Sequence, residues 1–237
     1  MKICIITIAT NQYLQFVDRL LTDIENHFLP GNDFHLLLCT DHDVETSDNV
    51  RVSSIGHKPW PEPALKKYNY IAAESEFLKD FDYVYLFDAD VGIIDNVGEE
   101  VLQDLVGVLH PYKILEDKSV YPYEKNKKST AYIADENHDK YYAAAFVGGK
   151  SETFLKMAKT IAERVEEDER NGIIAKWHDE SHLNKYFNEN PPSALSPSYM
   201  FPEELINHPR YPFQPKIVAL KKESHFNQEK IDMGQYG

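Results

Sequence analysis

A chain of 237 residues with 42% hydrophobic and 12% aromatic residues can bury the core of one large α/β domain and is short for several. Its formal charge of −14 argues against nucleic acid or an anionic membrane surface as partner. Only two cysteines are present, Cys4 and Cys39, both in apolar runs; they read as buried thiols, not as a disulfide framework or a metal knuckle.

Residues 1–9 are apolar but run at once into Thr10-Asn11-Gln12. That predicts a first strand over 3–8 in place of a signal peptide or membrane anchor, and a cytoplasmic protein. The spacing of Leu14, Phe16, Val17, Leu20, Leu21, Ile24 and Phe28 predicts a helix over 13–28. The turn Pro30-Gly31-Asn32-Asp33 leads into a strand over 34–39, and another strand is expected at 50–54. Residues 61–78 read as a helix opening with Pro61-Glu62-Pro63. The run Tyr83-Val84-Tyr85-Leu86-Phe87 then has the unbroken apolar character of a central strand buried on both faces. This βαβαβ order implies an α/β domain around a mostly parallel, twisted sheet with crossover helices.

From 110 to 136 the text turns to Tyr, Pro, Lys and Asp with little periodicity, as in a long functional loop. Helices are expected over 151–171, with Phe154, Leu155, Ala158, Ile161, Ala162 and Val165 on one face, and over 180–187. Pro191-Pro192 and Ser196-Pro197 break the chain into loops, and the polar tail from about residue 223 reads as flexible or ordered only by ligand. No repeat or linker divides the sequence, so residues 1–237 form a single domain.

Two clusters carry chemistry. Asp88 and Asp90 follow the central strand with only Ala89 between them. Acids so placed lose solvation and repel each other, so they call for a cation, and open α/β sheets keep their ligands at this end. A metal holding a diphosphate would meet that need; a strand end running into a solvated turn is the plainer alternative. The second cluster is Trp177-His178-Asp179-Glu180-Ser181-His182. Asp179 suits a helix N-cap. His178 and His182 are four apart, like zinc ligands on a helix, but no Glu directly follows the first His and no third ligand is evident, which disfavours a zinc peptidase.

The block from Trp177 to Phe187, followed by Leu195-Ser196-Pro197-Ser198-Tyr199, resembles the signature of the family 6 retaining glycosyltransferases, relatives of the ABO blood-group transferases and α1,3-galactosyltransferase. The resemblance takes in Asp88-Ala89-Asp90, His110-Pro111-Tyr112, Tyr121-Pro122-Tyr123-Glu124, Ser129-Thr130-Ala131-Tyr132-Ile133 and the stretch from Tyr141 to Gly149. It is weaker over the first 80 residues. It implies a GT-A-type nucleotide-sugar-binding domain of the microbial or viral kind, without the stem and anchor of animal members. The implied reaction is α1,3 transfer of galactose or GalNAc from UDP-Gal or UDP-GalNAc to a β-galactoside or fucosylated glycan acceptor. A UDP-sugar hydrolase with little transfer, or a UDP-sugar-binding protein, is the alternative.

The resemblance also implies site roles. Asp88 and Asp90 would hold Mn2+ against the donor diphosphate, Asp90 more directly, with Asp88 also touching the donor. Many bacterial members carry Asn-X-Asn here and need no metal, so the carboxylates of this chain imply metal dependence. Glu180 matches the acid beneath the anomeric carbon, acting as nucleophile or as the group that orients the acceptor hydroxyl and stabilises positive charge. Its plain alternative is a capping-box acid. Asp179 and His178 would contact the donor hexose, and Trp177 and His110 the acceptor. Ile8, Ala9 and Tyr13 fall on the donor edge, with Tyr13 stacking on uracil. Lys67 stands where the family usually has Arg, losing a bidentate fork. Lys222, or Lys221 beside it, would reach the diphosphate when the tail closes. Ala143-Ala144-Ala145 aligns with the tripeptide that sorts donor sugars: small Ala143 favours the N-acetyl sugar, while Ala145, larger than Gly, favours galactose. Pro122 and Pro202 replace a Thr and an acceptor-binding Asp, removing polar contacts.

Overall fold

The computed structural model describes residues 1–134 and 140–225. The tail expected to be flexible from about 223 lies largely outside the described residues. Strand β1 (Ile3–Ile8) is followed by a 3-10 turn (Asn11–Phe16) and helix α1 (Val17–His27). Strands β2 (Phe34–Thr40) and β3 (Val50–Ser54) come next, then three short helices, α2 (Glu62–Leu65), α3 (Lys67–Ala73) and α4 (Ser75–Leu78). The single helix expected over 61–78 is thus interrupted, because Lys66 (φ −90°, ψ 6°) and Glu74 (φ −98°, ψ 13°) leave helical geometry. The helix expected over 13–28 likewise opens as a 3-10 turn.

Strand β4 (Tyr83–Asp88) leads to β5 (Val91–Ile93) and β6 (Leu105–Leu109). Beyond the long loop come β7 (Tyr142–Lys150), α5 (Ser151–Arg170), α6 (His178–Glu189), β8 (Ser193–Leu195), β9 (Phe201–Pro202) and β10 (Ile217–Ala219). The main sheet has the order β3-β2-β1-β4-β7-β6-β8. It is parallel from β3 through β4, antiparallel at both flanks of β7, and parallel again between β6 and β8. Neither β7 nor the small sheet β5-β10-β9 is marked by periodicity in the sequence.

Alternation along the strands feeds two cores. Ile3, Ile5, Tyr85 and Phe87 face α1 and the small sheet, where Phe28 sits edge-on to Tyr85, Phe87 and Phe146 at 4.9, 5.3 and 6.0 Å. Cys4, Ile6, Val84 and Leu86 face α3 and α5. Both cysteines are free thiols, and burial pushes each up to about 12.

Strand order reverses between β1 and β4, and crevices for ligands open beyond the carboxyl ends of strands at such a switch point. The register pairs Ile8 with Asp88 there. After Asp90 the chain turns into β5, which pairs antiparallel with β10, and Leu220 N–H donates to the Asp90 carbonyl at 2.9 Å. This pairing returns Lys222 to an aspartate more than half the chain away in sequence.

Tight packing between β4 and β7 is a test of the fold. A Cβ on Gly148 would lie 2.1 Å from the Tyr85 ring, whose hydroxyl is fixed on the Val101 carbonyl at 3.0 Å. Gly148→Ala is therefore expected to lower unfolding free energy by about 1–3 kcal/mol or more, read by urea denaturation. An unchanged midpoint would contradict this packing.

Candidate active site

Two joined lobes form the crevice. The first, of about 530 Å³, is lined by Ile8 and the turn Thr10–Tyr13 on one side, by His57–Trp60 on another, and by Lys67, Asp88, Asp90 and Lys222 at its floor. The second, of about 370 Å³, is lined by His110, the three alanines 143–145, and Trp177, His178, Asp179 and Glu180. Trp60, Ala64, Lys67 and Asp88 line both, so the lobes share one wall.

Lys67 sits at that junction. Its Nζ lies 2.7 Å from Asp88 Oδ1, at the end of β4, and 2.8 Å from Asp179 Oδ2, in the first turn of α6. The first contact is a hydrogen bond; the second is an ion pair off the hydrogen-bonding direction. Burial works against the charged ammonium, but Asp179 and Asp88 outweigh it and hold Lys67 well above the usual lysine value. Lys67 is therefore a permanent cation in the floor. The Asp179 carboxylate goes to Lys67 and does not cap α6, whose N-cap is Trp177 with no side-chain cap bond; Ser181 Oγ accepts from Trp177 N–H at 3.0 Å instead.

Burial, then Asp88 beside it, push Asp90 above the ordinary carboxylate value against the pull of Lys222, whose Nζ stands 3.8 Å away and 5.5 Å from the centre of the Tyr13 ring. Among the described residues, four floor carboxylates, Asp88, Asp90, Asp179 and Glu180, face two ammonium groups, Lys67 and Lys222, while a third, Lys58 on the wall, stands 3.8 Å from Glu62. When all are ionised the floor is short of two positive charges. A divalent cation at Asp88 and Asp90 fits that deficit, and fits it better still beside a diphosphate. Among the described residues no three His, Cys, Asp or Glu side chains converge on one metal position.

Glu180 faces the second lobe from the first turn of α6. The Tyr141 hydroxyl donates to Oε1 at 2.8 Å and Ala144 N–H to Oε2 at 3.3 Å. Burial pushes the carboxyl up to about 7, with Asp179 adding to the shift and the Tyr141 hydrogen bond opposing it. At neutral pH this acid is divided between its two protonation states, which suits reactive chemistry. The alanines lie where the β6–β7 register slips, between Gly107↔Val147 and Val108↔Ala143, leaving a bulge of small side chains under the cleft.

Around the second lobe, Tyr141 packs with His110, Tyr121 and Tyr123 at 5.6, 6.0 and 5.2 Å. Burial, reinforced by Lys113, pushes His110 down to about 4, so it is neutral at ordinary pH. Glu124 ties the long loop to the segment before α6 by accepting from Lys176 N–H at 2.6 Å. Asp168 of α5 accepts from Ser129 Oγ at 2.5 Å and Thr130 N–H at 2.7 Å. The region expected to be a long loop is thus irregular but pinned.

The structure brings Ile8, Tyr13, Lys67, Asp88, Asp90 and Lys222 to the first lobe and His110, Ala143, Ala145, Trp177, His178, Asp179 and Glu180 to the second. Ala9 does not join them by its side chain, which is fully buried while its N–H donates to the Cys39 carbonyl. Lys221 N–H is bound to Glu203 at 2.7 Å, and Lys221 does not line the cleft. His178 and His182 part company: His178, at φ 47°, lines the cleft edge-on to Trp60 at 4.8 Å, whereas His182 is fully buried beside Asp168. No zinc pair forms. Sequence reasoning missed Trp60, 75% exposed on the shared wall, and Tyr141 as the partner of Glu180. The run Pro59-Trp60-Pro61 was the available signal for the first, since an indole between prolines has no regular core position.

The mostly parallel α/β sheet with its crevice at the switch point, together with the family match, makes this a GT-A-type glycosyltransferase domain. The chain belongs to glycosyltransferase family 6, whose profile it matches over residues 1–228. It is 31% identical to histo-blood group ABO system transferase 2 of Rattus norvegicus over 225 residues, which is 90% of this chain and 67% of that protein. To globoside alpha-1,3-N-acetylgalactosaminyltransferase 1 of Homo sapiens it is 30% identical over 224 residues, covering 90% and 63%. To the O-antigen biosynthesis glycosyltransferase WbnI of Escherichia coli it is 30% identical over 209 residues, covering 86% and 89%. It therefore spans about two thirds of the length of these animal relatives. Among the described residues no helix is long and apolar enough to cross a membrane.

Removing the shared cation tests the floor. Lys67→Met strands two acids and is expected to cost about 3–5 kcal/mol at about pH 8. The deficit should shrink as pH falls, because buried Asp179, held above the ordinary carboxylate value, sheds its charge by taking up a proton. A pH-independent deficit in denaturation experiments would contradict the charge-pairing role.

Proposed function

We propose that the chain is a retaining α1,3-glycosyltransferase that moves GalNAc or galactose from a UDP-sugar to the 3-hydroxyl of a β-galactoside-type acceptor. The observation that carries this reading is the shared wall. Lys67 and Asp88 line both lobes, so one molecule can run from Tyr13 past the acids to Glu180. The uridine would lie against Ile8 and Tyr13, and the diphosphate beside Asp88, Asp90 and Lys222. The hexose would lie on the alanine bulge, near His178 and Asp179. The acceptor would enter between His110 and Trp177, where apolar Pro202 and Met200 also face the lobe.

Asp88 and Asp90 would hold Mn2+, which when bound neutralises charge on the departing UDP as a Lewis acid. Lys222 adds a cation on the same side, and Lys67 keeps Asp88 and Asp179 in place. Ionised Glu180 offers negative charge at the anomeric carbon as its bond to UDP weakens. The Tyr141 and Ala144 donors fix the direction of that carboxylate. The small side chain of Ala143 leaves room for an acetamido group, which supports the N-acetyl sugar. The human relative is named as an alpha-1,3-N-acetylgalactosaminyltransferase, which supports the same donor and linkage.

Transfer from UDP-GalNAc and UDP-Gal to a β-galactoside, assayed with EDTA and with added Mn2+, tests donor and metal together. EDTA is expected to abolish transfer and Mn2+ to restore it, with UDP-GalNAc the better donor; transfer indifferent to EDTA would remove the metal from Asp88 and Asp90. Glu180→Gln should lower kcat by at least about 100-fold. The charged form of Glu180 is the working one, so kcat/KM should rise with pH through an apparent pKa near the value of about 7 set by its burial. Neutral His110 adds no second limb there. A flat profile between about pH 5 and 8 would count against Glu180 as the reacting acid.

A further inference from the structure

Strand β7 loses its β4 partner where the cleft opens, while its other edge stays paired with β6 as far as Leu109↔Tyr142. Its pairing with β4 extends from Tyr83↔Lys150 to Phe87↔Phe146 and stops. On its other flank the β6 register slips past the alanines. Buried backbone N–H and C=O groups left unpaired there would each cost free energy.

Helix α6 supplies the missing partners through side chains. Tyr142 N–H donates to Asn184 Oδ1 at 2.8 Å, and Asn184 Nδ2 donates to the Tyr142 carbonyl at 2.9 Å. The amide thus pairs with Tyr142 as a strand residue would. Two residues along β7 and one turn back on α6, Ala144 N–H meets Glu180 Oε2. The spacings match: four residues of helix advance about 6 Å and two residues of strand about 6.6 Å. Asn184 Nδ2 also donates to the Glu180 carbonyl at 2.9 Å. One planar group, 2% exposed, therefore ties β7 to the helical turn that carries Glu180. Only a short amide offers a donor and an acceptor together at this place; Asp lacks the donor, and Ala lacks both.

We propose that Asn184 is a positioning residue that sets the reach and direction of the Glu180 carboxylate by locking α6 to the open edge of β7. The inference rests on the reading of Glu180 as the reacting acid. Asn184 does not line the cleft and touches no substrate position; it acts through Glu180.

Asn184→Ala and the isosteric Asn184→Asp, measured beside Glu180→Gln, test it. Displacing a reacting group by about 1 Å can cost about 100-fold in rate, so kcat is expected to fall at least about tenfold in both Asn184 variants. Donor KM and UDP affinity by calorimetry should stay within about twofold. The acidic limb of the kcat profile should move to higher pH, since Ala144 N–H would no longer favour the ionised carboxylate. The limb is read in Asn184→Ala, which leaves the groups facing Glu180, namely Tyr141, Asp179 and Lys67, unchanged; Asn184→Asp adds a carboxylate one turn away and is read for kcat alone. Wild-type kcat in either Asn184 variant would overturn the inference. So would a joint collapse of kcat, UDP affinity and melting temperature, because the role would then be folding alone. If Glu180→Gln keeps wild-type kcat, the catalytic reading of Glu180 fails; if it loses activity while the Asn184 variants keep theirs, only the positioning role fails.

Discussion

One buried ammonium holds the cleft together. Lys67 reaches from α3 to the end of β4 at Asp88 and to the start of α6 at Asp179, two places brought together only by the sheet. Without it, the carboxyl end of the central strand and the first turn of α6 would present like charges across a low-dielectric gap, where repulsion is strongest. With it, both acids have a partner, and the turn that carries Glu180 is held at a fixed distance from Asp88 and Asp90. The remaining negative charge stays in the floor, facing the first lobe. An acidic chain can hold a diphosphate under such conditions only by adding cations at one point, and Lys222, returned by the β5–β10 pairing, is placed for that.

Backbone pairing governs the second lobe as ion pairing governs the first. Where β4 diverges from β7, the free strand edge meets side chains of α6, and the gap between strands becomes floor space lined by alanines. The same departure from regular sheet structure thus makes room for a ligand and supplies the hydrogen bonds that aim Glu180. The rim is fixed from behind by Glu124 of the long loop, which accepts from the backbone before α6, and by Asp168 of α5, which accepts from backbone and hydroxyl donors of the loop. At the entrance, Asn11 and His178 both hold a left-handed backbone, His178 beside Trp60.

The sequence made β1 and β4 plain, because Ile3–Ile8 and Tyr83–Asp88 are buried on both faces and need apolar residues throughout. It made α5 plain through one long apolar face. Strand β7 was hidden because Ala143–Ala145, Gly148 and Gly149 have little β-propensity; those positions are small where the Tyr85 ring, the slipped register and the cleft leave no room for larger side chains. The small sheet was hidden because strands of two or three residues, β5 and β10 being paired across more than a hundred positions, leave no periodic trace. The breaks at Lys66 and Glu74 escaped because apolar spacing reports which face is buried and not where the helix axis changes. Asp88, Asp90 and Glu180 stood out as dense local chemistry. Tyr141 and Asn184 did not, since their importance comes from partners distant in sequence.

The central claim is that the paired acids and Glu180 serve one bound donor. A crystal structure with Mn2+ and an intact, unreactive UDP-sugar analogue tests it most directly. The expected result is anomalous scattering at Asp88 and Asp90 beside the diphosphate, with the anomeric carbon over the Glu180 carboxylate. A donor seated in the first lobe with its sugar turned away from Glu180, or a metal bound elsewhere, would contradict it.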